Sequence, residues 1–290
     1  MDAEFFQLLA TGIAVGSIIS LSAVGLTLTY GILRLANFAH GDLMTLGAYF
    51  ALVFNLSGVN IWLSIGLGAG LTIVIALITE KLLWSPMRDR HATSTTLIII
   101  SIGLALFLRN GIILIWGAAN QRYDLPVARA LDIFGVKVPQ NRLIVLILAI
   151  LVIGGLHYLL QNTKIGKAMR AVADNVDLAR ISGINVEQVV IWTWIIAAGL
   201  TAIGGGMYGL ITAVRPVMGW FLILPMFASV ILGGIGNPYG AIAGAFVIGI
   251  AQEVSTYHNW VSPEYKLGVA LLIMILVLLI RPQGIFRGTL

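Results

Sequence analysis

The residues best equipped for chemistry sit where polar groups are most costly. Leu35 to Phe50 reads LANFAHGDLMTLGAYF, which sets Asn37, His40 and Asp42 at the head of an apolar run. A histidine near a carboxylate is the raw material of acid–base catalysis. Two residues apart on a helix, however, their side chains do not face each other. Neither a Gly-x-Ser-x-Gly elbow nor a His-Glu-x-x-His pair is present in the chain. The absence of cysteine excludes disulfides, thiolate metal sites and thiol catalysis. The one Gly-Lys pair, Gly166-Lys167, lacks the rest of the phosphate-cradling pattern GxxxxGK[ST]. GGGMYG (Gly204 to Gly209) fits GxGxxG in form but lies inside an apolar run with no preceding strand. The chain therefore reads as no enzyme, and the polar residues need another purpose.

The elements that must hold them are membrane spans. Of 290 residues, 59% are hydrophobic and 10% charged, against about 25% charged in soluble domains. Mean hydropathy is +0.99. A soluble globular fold is excluded, and unbroken runs such as LGVALLIMILVLLI (Leu267 to Ile280) argue against a transmembrane barrel. At roughly 20 residues per span, the length accommodates about seven to nine crossings. The formal charge of +5 then reports loop orientation and not nucleic-acid binding. The start, MDAEFFQLLA, is acidic and lacks the basic flank of a signal peptide, so the first apolar segment is expected to be retained.

Apolar runs between polar breaks predict spans at 5–33, 38–56, 60–83, 94–117, 142–161, 188–214, 220–254 and 266–281. The seventh is too long for one crossing and is interrupted by GGIGNPYG (Gly233 to Gly240), so it reads as two pieces. The expected fold is an all-α polytopic membrane protein in one domain over 1–290, with about eight transmembrane helices and two broken or re-entrant segments. Lys81, Arg88 and Arg90, then Lys164, Lys167, Arg170 and Arg180, then Arg281 and Arg287, mark loops on the cytoplasmic side. The loop 118–142 falls outside despite Arg122, Arg129, Lys137 and Arg142. The side of the N-terminus stays open. Glycines four apart, at Gly12 and Gly16, Gly66 and Gly70, Gly205 and Gly209, and Gly236, Gly240 and Gly244, predict close helix packing.

A central aspartate costs about 2.5 to 3.5 kcal/mol on insertion scales. Asn37, His40 and Asp42 therefore either mark a helix break that faces a polar pathway, or lie at the water interface with Asn37 or Asp42 as an N-cap. NPYGAIAGAFVIG (Asn237 to Gly249) repeats the pattern of asparagine, then glycine, then Gly-Ala and phenylalanine. Paired glycine-interrupted segments point to a transport pathway. The candidate pathway residues are Asn37, His40, Gly41, Asp42, Gly234, Gly236, Asn237 and Gly240. Glu80 with Lys81, and Arg109, fall near span ends, where their side chains are expected to snorkel to the headgroups. Glu253 has no assigned role. In NTKIGKAMRAVADNVDLARISGINVEQ (Asn162 to Gln188), apolar and charged residues alternate at helical spacing, predicting a short amphipathic helix ended by Gly183. It either lies on the bilayer or docks into a partner.

Three stretches carry a family resemblance: GILRLANFAHGDLMTLGAYF (Gly31 to Phe50), GKAMRAVADNVDLARISGIN (Gly166 to Asn185) and LGGIGNPYGAIAGAFVIG (Leu232 to Gly249). Over nearly its whole length the chain resembles the permease subunits of ATP-binding-cassette importers for branched-chain and other neutral amino acids. The resemblance implies a second homologous permease subunit, two cytoplasmic ATP-binding subunits, a periplasmic substrate-binding protein and a bacterial cytoplasmic (inner) membrane location. It implies no cofactor on this chain, since ATP would be used by the partners. It also implies an ATPase-coupling helix, here Gly166, Ala168, Arg170, Ala171, Ala173, Asp174, Ala179 and Gly183. Two alternatives stay open: an ion-coupled secondary carrier, with Asp42 as coupling site, and a urea-specific member of the same importer family.

Overall fold

The computed structural model describes residues 3–126, 130–133 and 136–286. Its helices are α1 (Ala3–Leu33), α2 (His40–Leu56), α3 (Ile61–Thr79), α4 (Ser85–Asp89), α5 (Ser94–Trp116), α6 (Gln140–Asn162), α7 (Lys164–Asp174), α8 (Val176–Ile181), α9 (Val186–Ile211), α10 (Met218–Gly233), α11 (Pro238–Val254) and α12 (Lys266–Ile280). A π-helical turn, Glu80–Trp84, joins α3 to α4. Among the described residues, six helices are long and apolar enough to cross a membrane, α3 with its π turn and α4 counting as one; α10 and α11 are shorter apolar helices.

The long segment 220–254 is indeed two helices, split where Gly233, Gly234, Gly236 and Pro238 stand. The expectation of helices alone misses one feature. Strands β1 (Ala130–Ile133) and β2 (Val136–Pro139) form an antiparallel hairpin pairing Ala130 with Pro139 and Ile133 with Val136. Arg129 and Arg287, used to weigh orientation, lie outside the described residues.

Helix α1, with 31 residues, is about 46 Å long and forms the mast of the bundle. Glycine lets its neighbour approach: a Cβ on Gly12 would lie 2.7 Å from the Ile250 Cα, and one on Gly249 would lie 2.5 Å from the Gly16 Cα. Where hydrocarbon gives helices no hydrophobic reason to associate, such backbone contact supplies the attraction. Gly66 and Gly70, read from sequence as a second packing pair, face open space instead.

Contacts divide the bundle into two ends. At one, the C-terminal turns of α1 meet α7 and the 236–239 turn around a cavity of about 370 Å³. Arg34, Glu80, Lys81, Arg88, Arg180 and Glu187 line a second cavity at that end. The tail returns there too, with Ile285 N donating to the Leu232 carbonyl at 2.8 Å. The basic loops 81–91 and 162–187 therefore share an end with Arg281, as the Lys/Arg distribution predicts, and this is the inner end below. The other end gathers Arg142 with Thr11 (2.6 Å), Glu253 with Lys266 (2.7 Å) and the Phe5 ring against Tyr257. The N-terminal end of α1 thus belongs with the 118–142 loop, which the sequence left open.

Candidate translocation site

Helix α2 starts inside the bundle. After α1 ends, Arg34 takes a left-handed conformation (φ 53°) and the chain doubles back. The Asn37 side-chain oxygen accepts from Ala39 N at 3.0 Å, and Ser101 of α5 accepts from Phe38 N at 3.1 Å. His40, the first residue of α2, is fully buried. Its Nε2 donates to the Ser22 carbonyl at 2.9 Å and lies 2.6 Å from Thr201 Oγ1. Ser22 is eleven residues from the end of α1, so α2 begins roughly 16 Å inside the inner end. Asn37, His40 and Asp42 are all buried within the bundle. His40 and Asp42 point to different partners, so no acid–base pair forms.

A second helix starts at the same depth. Beyond α9, residues 212–217 turn inward, tied to the 118–142 loop by paired Gln121–Val214 backbone bonds (2.9 and 3.0 Å). Gly219, in the first turn of α10, donates its N–H to Thr45 Oγ1 at 3.0 Å. Any Cβ on Gly41 or Gly219 would overlap the other's carbonyl oxygen, so the first turns of α2 and α10 touch through bare backbone. Nearby, Tyr123 donates to the Ala48 carbonyl at 3.2 Å; burial pushes its phenol well above its ordinary range, keeping it a donor.

Beside this junction, Arg109 grips Asp42 with two parallel bonds, Nε to Oδ1 at 3.1 Å and a terminal nitrogen to Oδ2 at 3.0 Å. The guanidinium carbon lies 4.5 Å from the centre of the Trp220 ring. Arg109 does not snorkel as the sequence reading has it; it stands within α5 and turns inward. Glu80 also departs from expectation: it is buried inside the bundle and does not reach the headgroups. Its carboxylate accepts from the Trp194 indole at 2.6 Å and pairs with Arg88.

Three buried polar atoms along the start and middle of α2, Asn37 Nδ2, His40 Nδ1 and Tyr49 OH, have no protein partner. Burying such a group unpaired costs about 1–3 kcal/mol.

The other predicted pathway group lies elsewhere. Gly234 and Gly236 adopt positive φ (98° and 88°) in the turn between α10 and α11, at the inner end. Asn237 caps α11 by accepting from Tyr239 N and Gly240 N, both at 3.1 Å, and Gly240 packs on Gly233. The α2 break therefore meets the start of α10, not the Asn237 turn. Sequence reasoning missed Arg109, Thr45, Thr201, Gly219 and Trp220. The signal available was the lone arginine within an apolar run, which matches Asp42 in charge.

The 162–187 segment is two helices, not one. Asn175 (φ −156°, ψ 109°) breaks them and caps α8 by accepting from Leu178 N at 2.9 Å. Gly183 (φ 85°) follows α8. Gly166 packs on the Leu159 and Leu160 carbonyls, Arg170 bonds the Leu160 carbonyl, and Ala179 is buried. Ala168, Ala171 and Ala173 pack against the core; Asp174 borders the 370 Å³ cavity. The outward surface instead carries Lys167 with Leu178 and Ile181, which are 58% and 81% exposed.

With this geometry in view, comparison with known proteins is decisive. The family model described as the permease component of the branched-chain amino acid transport system matches residues 8–278. The chain belongs to this family. It is 31% identical to the high-affinity branched-chain amino acid transport system permease protein LivH of Escherichia coli K12, covering 97% of this chain and 95% of that protein. It is 28% identical to the corresponding permease protein BraD of Pseudomonas aeruginosa, with the same coverage. Among solved structures, PsaBC from Streptococcus pneumoniae in complex with Fab superposes with a TM-score of 0.55 over 98% of this chain and 97% of that one, at 15% identity. That likeness concerns the fold alone. The chain is thus a multi-pass membrane permease.

Proposed function

We infer that this chain is the membrane-spanning permease subunit of an ATP-driven importer of branched-chain or other neutral amino acids in a bacterial cytoplasmic membrane. Its route for substrate passes the α2–α10 junction. Two helices that start inside the bundle meet there through Gly41 and Gly219, and on and just before α2 the buried polar atoms Asn37 Nδ2, His40 Nδ1 and Tyr49 OH have no protein partner. Irregular backbone at membrane depth is tolerated where it lines a water-filled space, and this meeting is the observation that carries the reading.

Energy comes from elsewhere. The α7–α8 pair projects exposed Leu178 and Ile181 from the inner end, a surface that suits docking into a cytoplasmic ATPase. In this reading Gly166, Ala168, Arg170, Ala171, Ala173, Asp174, Ala179 and Gly183 seat the pair on the bundle so that its movement reaches α6 and α9. ATP is held and hydrolysed by two partner subunits, a second permease completes the pathway, and a soluble binding protein delivers substrate. This chain holds no cofactor. The inner-end turn at Gly234, Gly236, Asn237 and Gly240 borders the exit beneath α7. An ion-coupled carrier with Asp42 as coupling site is disfavoured because Arg109 occupies both carboxylate oxygens.

The test is uptake by the complete importer in proteoliposomes. Leucine accumulation that needs ATP and the binding protein supports the reading; accumulation driven by a proton or sodium gradient alone overturns it.

A further inference from the structure

The Asp42–Arg109 pair carries more than a structural clip requires. Its side chains are 1% and 12% exposed, it joins α2 to the candidate membrane span α5 inside the bundle, and its net charge is zero. An intramembrane charged residue is by default a functional candidate. One face of the guanidinium is covered by Trp220, which is 41% exposed and stands beside Phe221 at 57%. On α5, Leu106, one turn from Arg109, is 47% exposed. Charge, aromatic ring and apolar surface thus converge at one place beside the α2–α10 junction.

We propose that Asp42, Arg109 and Trp220 form a transient binding site for the zwitterionic backbone of a neutral α-amino acid. The inference rests on the permease reading above. A substrate carboxylate matches the planar fork of Arg109 in two-point geometry, replacing Asp42. The freed Asp42 then takes the substrate ammonium, and the Trp220 face offers it a second attraction. One ion pair becomes two, with no charge left alone at the end of the exchange. A ligand with only one of the two charges fails. A keto acid engages Arg109 but strands Asp42, and an amine engages Asp42 but strands Arg109; an unpaired buried charge is strongly unfavourable. Phe221 and Leu106 supply apolar surface for the substrate side chain without selecting its shape closely.

The test uses the full permease–ATPase complex in nanodiscs without binding protein, and radiolabelled L-leucine as the probe. Wild type is expected to bind leucine weakly, with displacement by other neutral L-amino acids but not by 4-methyl-2-oxopentanoate or 3-methylbutylamine. Arg109→Lys keeps the charge and loses the fork, and should weaken binding more than tenfold at unchanged membrane abundance. The neutral pair Asp42→Asn with Arg109→Gln should abolish it. Wild-type affinity in the neutral pair, or equal displacement by keto acid and amine, would reduce the ion pair to a clip for α5 and overturn the proposal. So would no leucine binding by a wild-type complex that imports leucine. A wild-type complex that imports no amino acid with ATP and binding protein present would instead overturn the permease reading.

Discussion

At the residue scale, backbone proximity decides which glycines matter. Gly41 and Gly219 touch through carbonyl oxygens, whereas Gly66 has no neighbour within 4 Å of a built Cβ. Gly219→Ala forces the first turns of α2 and α10 apart and should cost about 1–3 kcal/mol, seen as a lower unfolding temperature in detergent. Gly66→Ala should leave that temperature unchanged or slightly raised, since alanine favours a helix by up to ~1 kcal/mol. Similar losses for both would mean that sequence spacing, not contact, governs packing. Glu80 makes a second case. Its carboxylate joins the Trp194 indole to Arg88, so Glu80→Ala leaves a buried indole N–H unpaired and should destabilise by about 1–3 kcal/mol. Lys81→Ala, next in sequence but outside that network, should change stability by less than about 0.5 kcal/mol. Equal effects would contradict the assignment of Glu80's partners.

At the element scale, sequence and structure agree where a helix is bounded by its own chemistry. The run 94–117 becomes α5 because Thr93 caps it at one end, accepting from Thr96 N, and Gly117 (φ 82°) ends it. The α10–α11 break falls at Gly234 and Gly236, which take positive φ, and Pro238 opens α11 at the first helical position, where its missing N–H costs nothing. What could not be read is depth. Asn37 finds its place through Ala36 and Phe38, which meet Ser101 more than sixty residues on; nothing local distinguishes that from an N-cap at the water surface. The repeat of an asparagine–glycine pattern in the second half led to the Asn237 turn, yet the touching partner of Gly41 is Gly219, which carries no such pattern. Likewise one amphipathic stripe was legible in 162–187, but Asn175 divides it, and the outward Leu178 and Ile181 emerge only once the packed face is known. Ile181 is 81% exposed, so Ile181→Asp should leave permease stability within about 0.5 kcal/mol while the ATPase no longer copurifies and uptake falls at least tenfold. Retained copurification with full uptake would remove α8 from the coupling surface.

At the scale of the whole molecule, composition alone established a helical membrane bundle, and Lys/Arg distribution sorted its loops. It could not place the N-terminus, because that depends on whether α1 bends; 31 continuous helical residues settle it opposite the inner end. The same mast, packed on α11 by glycine, leaves α2 and α10 as the elements that start inside the bundle, and the functional reading depends on water reaching the place where they meet. The chain has no cysteine, so a single introduced thiol reports on that directly. Trp220→Cys at the junction and Leu272→Cys on the outward face of α12, where Leu272 is 57% exposed, can be challenged in the assembled transporter with a membrane-impermeant methanethiosulfonate. Rapid modification at position 220 with none at 272 is expected; an inert thiol at 220, or equal modification at both positions, would contradict a wet junction.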